Sequence, residues 1–238
     1  MSLSDPEVVR REYASEVGLE ARRSLYDTRV GPDPREVMWN EIVGAAPRRV
    51  LEVGQGPGEL SERMRRELGL DVVAIDVSER MVELARARGV DARVGDVEDL
   101  PFPADAFDLV VAAWMLFHVP DLDRGLAEIV RVLAPEGQLV AVTNSEYHLD
   151  EARSHVGFSM VGRVSFSREN GAAALERHFA RVERIDVDGS VTFADGDAIR
   201  AYLRWLVLAR DENHDVPELL EPLVATTRNT IFVAEKAE

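Results

Sequence analysis

Between Arg48 and Asn144, short β-branched runs alternate with amphipathic helical runs, and this alternation constrains the chain more than any other feature. It is the pattern of a parallel sheet wrapped by crossover helices. Strands are predicted at Val50–Val53, Val72–Asp76, Ala92–Val94, Leu109–Ala113 and Leu139–Thr143, with helices at Glu59–Leu68, Glu79–Arg88 and Leu122–Leu133. Ser78 and Asp121 occupy N-cap positions, and Gly69 and Gly89 stand where helices should stop. Upstream, helices over Glu7–Arg23 and Pro34–Ala45 flank a Gly31-Pro32-Asp33-Pro34 turn, so residues 1–46 read as a helical cover for the sheet's carboxyl edge. Downstream come an aperiodic stretch, Ser145–Asn170, a helix at Gly171–His178, strands at Val182–Val187 and Val191–Phe193, a helix at Ala198–Ala209 and a strand at Thr230–Ala234. Residues 47–238 can complete one sheet, without a second domain.

The composition narrows the chemistry. The 238 residues carry 44 acids against 28 bases, a net charge of −16, which disfavours nucleic acid as a partner. Cysteine is absent, which removes thiolate metal sites and cysteine nucleophiles, and Lys236 is the sole lysine, which leaves P-loop and Schiff-base chemistry almost nowhere to live. No histidine or carboxylate cluster has metal-ligand spacing. The longest apolar run, Leu109–Phe117, is nine residues against the ~20 that span a bilayer, and no signal sequence is legible. A soluble cytoplasmic protein with no membrane insertion is expected.

Three strand ends carry the functional signal. Val50–Val53 runs into Gly54-Gln55-Gly56-Pro57-Gly58, where glycines permit positive φ and close approach of a ligand to the backbone. Alone, this is also what any tight strand-to-helix turn could use. Asp76 closes the second strand some twenty residues later, where a carboxylate can accept both hydroxyls of a ribose or start the following helix. Gly95-Asp96-Val97 ends the third strand, placing a carboxylate and a backbone amide where an adenine would rest.

Glu52-Val-Gly-Gln-Gly-Pro-Gly58, Val73-Ala-Ile-Asp76, Gly95-Asp96, Phe107-Asp108-Leu-Val-Val-Ala-Ala-Trp114 and Arg131-Val-Leu-Ala-Pro135-Glu-Gly137 resemble the successive motifs of class I S-adenosylmethionine-dependent methyltransferases. The likeness is to the small-molecule, ubiquinone/menaquinone-biosynthesis branch. It implies a Rossmann-like, doubly wound, mostly parallel seven-stranded sheet with helices on both faces and an N-terminal helical cover. It also implies S-adenosylmethionine as cofactor and S-adenosylhomocysteine as product. By that resemblance Glu52, Gly54, Gln55, Gly56 and Gly58 face the methionine part of the cofactor, Asp76 the ribose, Asp96 and Val97 the adenine, with Val77 and Met81 against the ring. Trp114 and Met115 approach the sulfonium and the acceptor. Two positions depart from the pattern: Gln55 replaces a small residue, and Glu136 the first glycine of a Pro-Gly-Gly turn.

The implied reaction is methyl transfer by in-line displacement to an O-, N- or C-nucleophile of a small molecule, by a monomer or homodimer. His118 is either the general base or a framework residue within Phe117-His118-Val119-Pro120. Tyr13, Tyr26, Tyr147 and His148 are candidate acceptor contacts, and residues 145–170 a candidate acceptor-site insertion. Two other readings stand beside this one. A nicotinamide-dependent oxidoreductase shares the glycine turn and Asp76, although Glu59 replaces the glycine that G-x-G-x-x-G requires. A non-catalytic S-adenosylmethionine-binding module would keep the pocket without the acceptor site.

Overall fold

A computed structural model describes residues 3–5, 26–204, 206, 216 and 218–237. The predicted helix Glu7–Arg23, with Tyr13, lies outside the described residues. Seven strands form one sheet: β1 Arg49–Val53, β2 Asp71–Asp76, β3 Asp91–Val94, β4 Phe107–Ala113, β5 Leu133–Asn144, β6 Arg181–Phe193 and β7 Leu223–Glu235. Their spatial order is β3-β2-β1-β4-β5-β7-β6. The first five run parallel, whereas β7 is antiparallel to both β5 and β6. The doubly wound, mostly parallel expectation therefore holds, with an antiparallel edge.

Local chemistry accounts for the crossovers. Helix Glu59–Leu68 has the predicted bounds and ends on Gly69 at φ 69°. Ser78 caps Glu79–Ala87 by accepting from the Met81 N–H, and Asp121 caps Leu122–Val132 by accepting from the Arg124 N–H. Asp33 likewise accepts from the Arg35 N–H, with Pro34 supplying the first helical residue of Pro34–Gly44. This last helix places Met38, Trp39 and Ile42 against Val50, Val111, Val140 and Ile231. As a cover, it is thus a layer on one face of the sheet. The opposite face buries Leu51, Ile75, Val110 and Phe232 against Leu126, Ile129 and Leu175 of two other helices. No helix among the described residues is long and apolar enough to cross a membrane.

The late elements differ from expectation. β5 starts at Leu133, six residues before the predicted Leu139, because Leu133 already pairs with Phe107 across a register shift. Glu136 takes the glycine-like φ of 61° within that stretch. The helix predicted over Gly171–His178 is the short Gly171–Leu175, and of the helix at Ala198–Ala209 the structure describes Gly196–Arg204. Val182–Val187 and Val191–Phe193 are one strand, since Gly189 and Ser190 stay paired with Thr227 and Thr226. β7 begins at Leu223, seven residues before the predicted Thr230. Pairing of β5 with β7 stops at Asn144 and Asn229, yet β6 and β7 continue as a ribbon to Phe193 and Leu223. Val191, Phe193 and Ala225 of this ribbon pack with Leu149, Ala152, Phe158, Met160, Ile199, Leu203 and Leu3. A second apolar cluster therefore stands beyond the carboxyl edge, built largely from residues without a legible sequence period.

Candidate active site

Parallel strands deliver their carboxyl ends to one edge, where loops can converge groups distant in sequence. At the end of β1, Glu52 is buried and accepts a hydrogen bond from the Ser61 hydroxyl of helix Glu59–Leu68. Burial pushes its carboxyl up to about 7, opposed by the Ser61 bond and reinforced by the nearby charge of Asp76. Gly54 turns at φ 67°, where a Cβ would stand 2.7 Å from the Met115 Cβ. Gly58, at φ 82°, lies against Ala85. Gly56 differs from both: its φ is 54°, and a Cβ there would meet no atom within 4 Å. The middle of the turn is open.

Asp76 ties the second strand end to that turn. Its Oδ2 accepts from the Gly56 N–H at 3.0 Å and its Oδ1 from the Ser78 N–H at 2.9 Å. Burial raises its pKa, while these two backbone donors pull it back. At the third strand end Asp96 is exposed, its Oδ1 accepting from the Glu98 N–H, and Val97 joins the core. Val77 is 44% and Val94 51% exposed, an apolar pair at neighbouring strand ends that suits the face of a flat ring. Val94 was not distinguished by the sequence. Met81, placed against the ring by resemblance, is wholly buried, so its side chain belongs to the core and offers no free face. Gln55 is also buried, and neither its amide oxygen nor its amide nitrogen has a partner. Such a group calls for an acceptor or donor that the protein itself does not supply.

Trp114 sits at φ 53° just past β4, a conformation that bulky residues adopt rarely and that clusters at functional sites. Its N–H donates to the Val142 carbonyl, and its indole Nε1 donates to Asn144 Oδ1 at 3.2 Å. Asn144 Oδ1 also accepts from Asn229 Nδ2 at 2.5 Å. Two donors on one oxygen fix the Asn144 amide, so its nitrogen points away from them. No sequence motif marks either asparagine. Each belongs to a strand of ordinary appearance, and only their pairing marks them.

The candidates of the acceptor side divide. His118 donates from Nδ1 to the Leu3 carbonyl at 2.9 Å, tying the start of the chain to the mouth of the site. His148 does not open to a ligand: it is buried, its Nδ1 accepting from the Arg228 N–H and its Nε2 bonded to the Tyr26 hydroxyl at 2.9 Å. Burial pushes its pKa down to about 3, with help from Arg153, Arg29 and Arg168. Tyr26 is therefore engaged in holding this histidine. Tyr147 is exposed and lines a groove of about 450 Å³ with Ser145, Glu151, Arg168, Glu169 and Arg228. The charged groups there have partners: Glu151 pairs with Arg228, Arg168 with Asp188, and Glu169 accepts from the Ser145 hydroxyl.

Comparison with known proteins bears on the family and the fold. Residues 51–141 match a family model described as a methyltransferase domain. A "Ubiquinone biosynthesis O-methyltransferase" of Xanthomonas oryzae pv. oryzae is 40% identical over 123 residues, 49% of this chain and 51% of that protein. The chain spans about half the length of the curated relatives it matches. Among solved structures, the YcgJ protein of Bacillus subtilis superposes with a TM-score of 0.60 at 19% identity, covering 86% of this chain and 99% of that one. A Haemonchus contortus phosphoethanolamine N-methyltransferase 2, solved with S-adenosylhomocysteine, gives a TM-score of 0.66 at 17% identity, covering 100% of this chain and 61% of that one. These two likenesses concern the fold.

Proposed function

We propose, from the premise that residues 51–141 give this chain a class I S-adenosylmethionine-dependent methyltransferase domain of the quinone-biosynthesis-like type, that the protein transfers a methyl group from that cofactor to a small molecule. The observation that carries the reading is the Gly56–Asp76 contact, which sets an open backbone turn against a partly buried carboxylate. Asp76 would exchange part of its present bonding for ribose hydroxyls. Val77 and Val94 would cover the adenine, Asp96 and the Val97 amide would meet its edge, and Glu52 with the Gly54–Gly58 turn would face the methionine part. The orphaned Gln55 amide fits there as a further polar contact.

When bound, the cofactor supplies a methyl already activated on a sulfonium. The chain's own task is orientation, which can contribute roughly 7–11 kcal/mol to such a displacement. Trp114, locked by Asn144, would form the wall nearest the transferred group, with Met115 beside it. His118 could receive a proton only through Nε2, because Nδ1 carries its hydrogen to Leu3. The apolar cluster on the β6–β7 ribbon would exclude water from above.

Calorimetry with S-adenosylhomocysteine tests the reading. Wild-type protein is expected to bind, and Asp76→Ala to lose about 30-fold or more, equivalent to ~2 kcal/mol for a charged hydrogen-bond acceptor. Absence of binding by the wild type overturns it.

A further inference from the structure

One hydrogen-bond polarity runs along the carboxyl edge from β4 to β7. Trp114 Nε1 can only donate, so the Asn144 atom it meets at 3.2 Å is Oδ1. The same oxygen meets Asn229 at 2.5 Å, which makes the Asn229 atom Nδ2 and leaves Asn229 Oδ1 to face elsewhere. That oxygen lies 3.5 Å from Arg29 Nη1, again a group that only donates. With donors at both ends, neither asparagine can flip without setting like against like. The backbone beneath is held as well: Asn144 pairs with Asn229 at the last step of the β5–β7 ladder, and its carbonyl accepts from the Arg168 N–H. One group is left over. Asn144 Nδ2 has no hydrogen-bond partner among the described residues, and Asn144 is half-buried, so two N–H donors open at the edge beside Trp114. The unpartnered Gln55 amide, by contrast, is enclosed.

The end of β4 joins the two halves of the edge. Met115 lies against the glycine turn, its Cβ 2.7 Å from where a Gly54 Cβ would stand, and Trp114 lies against Asn144. Asn144 is thus one strand spacing of ~4.8 Å beyond β4, with β4 and β1 between it and Asp76. We propose that Asn144 is a specificity-determining residue for the methyl acceptor, its Nδ2 donating to the reacting oxygen of a phenol or enol bound as the oxyanion. The transfer rests on the methyltransferase reading; the oriented donor does not. Trp114 has already spent its N–H on the Val142 carbonyl and its Nε1 on Asn144, so the polar hydrogens offered here are those of Nδ2. Such a group prefers an oxygen with full lone pairs to an amine that must itself donate, and a bond to an anion is about twice as strong as one between neutral groups. Held this way, the oxyanion gives a second lone pair to the methyl carbon while the carbon–sulfur pair returns to sulfur. No proton then remains to be removed in that step.

4-Nitrophenolate and 4-nitroaniline, nearly equal in shape but opposite at the reacting atom, are suitable probes. Their affinities would be measured calorimetrically on the full chain, with and without S-adenosylhomocysteine, for wild type, Asn144→Asp and Asn229→Asp. The indole N–H resonance of Trp114 reports whether its bond to residue 144 survives. The wild type is expected to prefer the phenolate about tenfold or more. Asn144→Asp keeps an oxygen for Trp114 and Asn229 and turns the free donor into an acceptor. It should weaken the phenolate at least tenfold and tighten the aniline several-fold, with the indole resonance and S-adenosylhomocysteine affinity unchanged. Asn229→Asp sets an oxygen against Asn144 Oδ1, so the Asn144 amide must turn; the preference should vanish and the indole resonance shift. Equal binding of the probes, binding of neither, or a preference that survives Asn144→Asp overturns the proposal. So does an Asn144→Asp variant whose aniline affinity is unchanged, which reduces the effect to charge repulsion, or one that loses S-adenosylhomocysteine, which assigns Asn144 to the cofactor. Should Asn229→Asp fail to fold, Asn144→Asp decides. An Asn144-dependent phenolate preference in a protein that ignores S-adenosylhomocysteine would instead sink the methyltransferase reading while the oriented donor stands.

Discussion

The two halves of the carboxyl edge are built by different means. On the β1–β3 side, each group comes from the turn that directly follows its own strand: the glycines after β1, Asp76 closing β2, Asp96 after β3. On the β4–β7 side, Trp114, Asn144, Asn229 and Arg29 are joined across separations of 30, 85 and 200 residues. The first half is local geometry repeated in register. The second exists only once β7 has been inserted antiparallel beside β5. A site divided in this way can keep its donor half constant while the acceptor half changes with the long-range pairing.

The glycine turn is where the local half can be broken most severely. In Gly58→Ala a Cβ would stand 2.6 Å from the Ala85 Cβ and 2.9 Å from its Cα, at a φ of 82°. Helix and turn cannot both keep their places, and a loss of roughly 3 kcal/mol is expected in urea unfolding. Gly56→Ala, at φ 54° with no atom in reach, should cost only about 1 kcal/mol. Its larger effect should appear as weakened S-adenosylhomocysteine binding, because the new methyl stands over the open turn. Equal destabilisation by the two variants would show that the turn is uniform, contrary to the division between a packed and an open glycine.

The same division explains what the sequence reveals. Val50–Val53 followed by Gly54 and Gly58 is legible because strand, turn and helix signals are adjacent, and helix Glu59–Leu68 has its predicted bounds. Asn144 and Asn229 carried no signal, since an asparagine at the end of one strand and another inside a second acquire meaning only when the strands pair. Gly189-Ser190 reads as a break, but β7 supplies partners on the far side and the strand continues through it. In the sequence His148 stands out only by its chemistry, and both partners that enclose its ring, Tyr26 and Arg228, are 122 and 80 residues away.

His148 offers a way to sharpen the long-range half. The folded protein holds it neutral down to about pH 3, whereas in the unfolded chain it binds a proton near 6.5. As pH falls through that window the unfolded state gains a proton that the native state refuses, so this histidine's contribution is present above 6.5 and lost toward 3. His148→Asn keeps an acceptor for the Arg228 N–H and abandons Tyr26. A loss of about 2 kcal/mol at pH 7.5 is expected. The variant should also lose less stability than the wild type on going from pH 7.5 to 5.0. Parallel losses in urea titrations at the two pH values would mean that His148 already titrates inside the native state.

Glu52 gives the opposite sign on the local half. Its folded value of about 7 lies above the ordinary 4.5, so the native state holds a proton that the unfolded chain has released. Its contribution to stability is present below 4.5 and is lost as pH rises through 7. Glu52→Gln keeps the shape and the oxygen that Ser61 addresses without the buried charge. The variant should therefore match the wild type near pH 4.5 and exceed it in unfolding midpoint at pH 8. Binding should move the other way. If the ionised Glu52 faces the ammonium of the cofactor's methionine part, S-adenosylhomocysteine affinity rises with pH through 7 in the wild type. In Glu52→Gln that affinity falls about tenfold at pH 8, near 1.4 kcal/mol, and loses its pH dependence. A variant both more stable and unchanged in affinity would make Glu52 a burden with no compensating contact, and the donor half would lose its only fully buried acid at the turn.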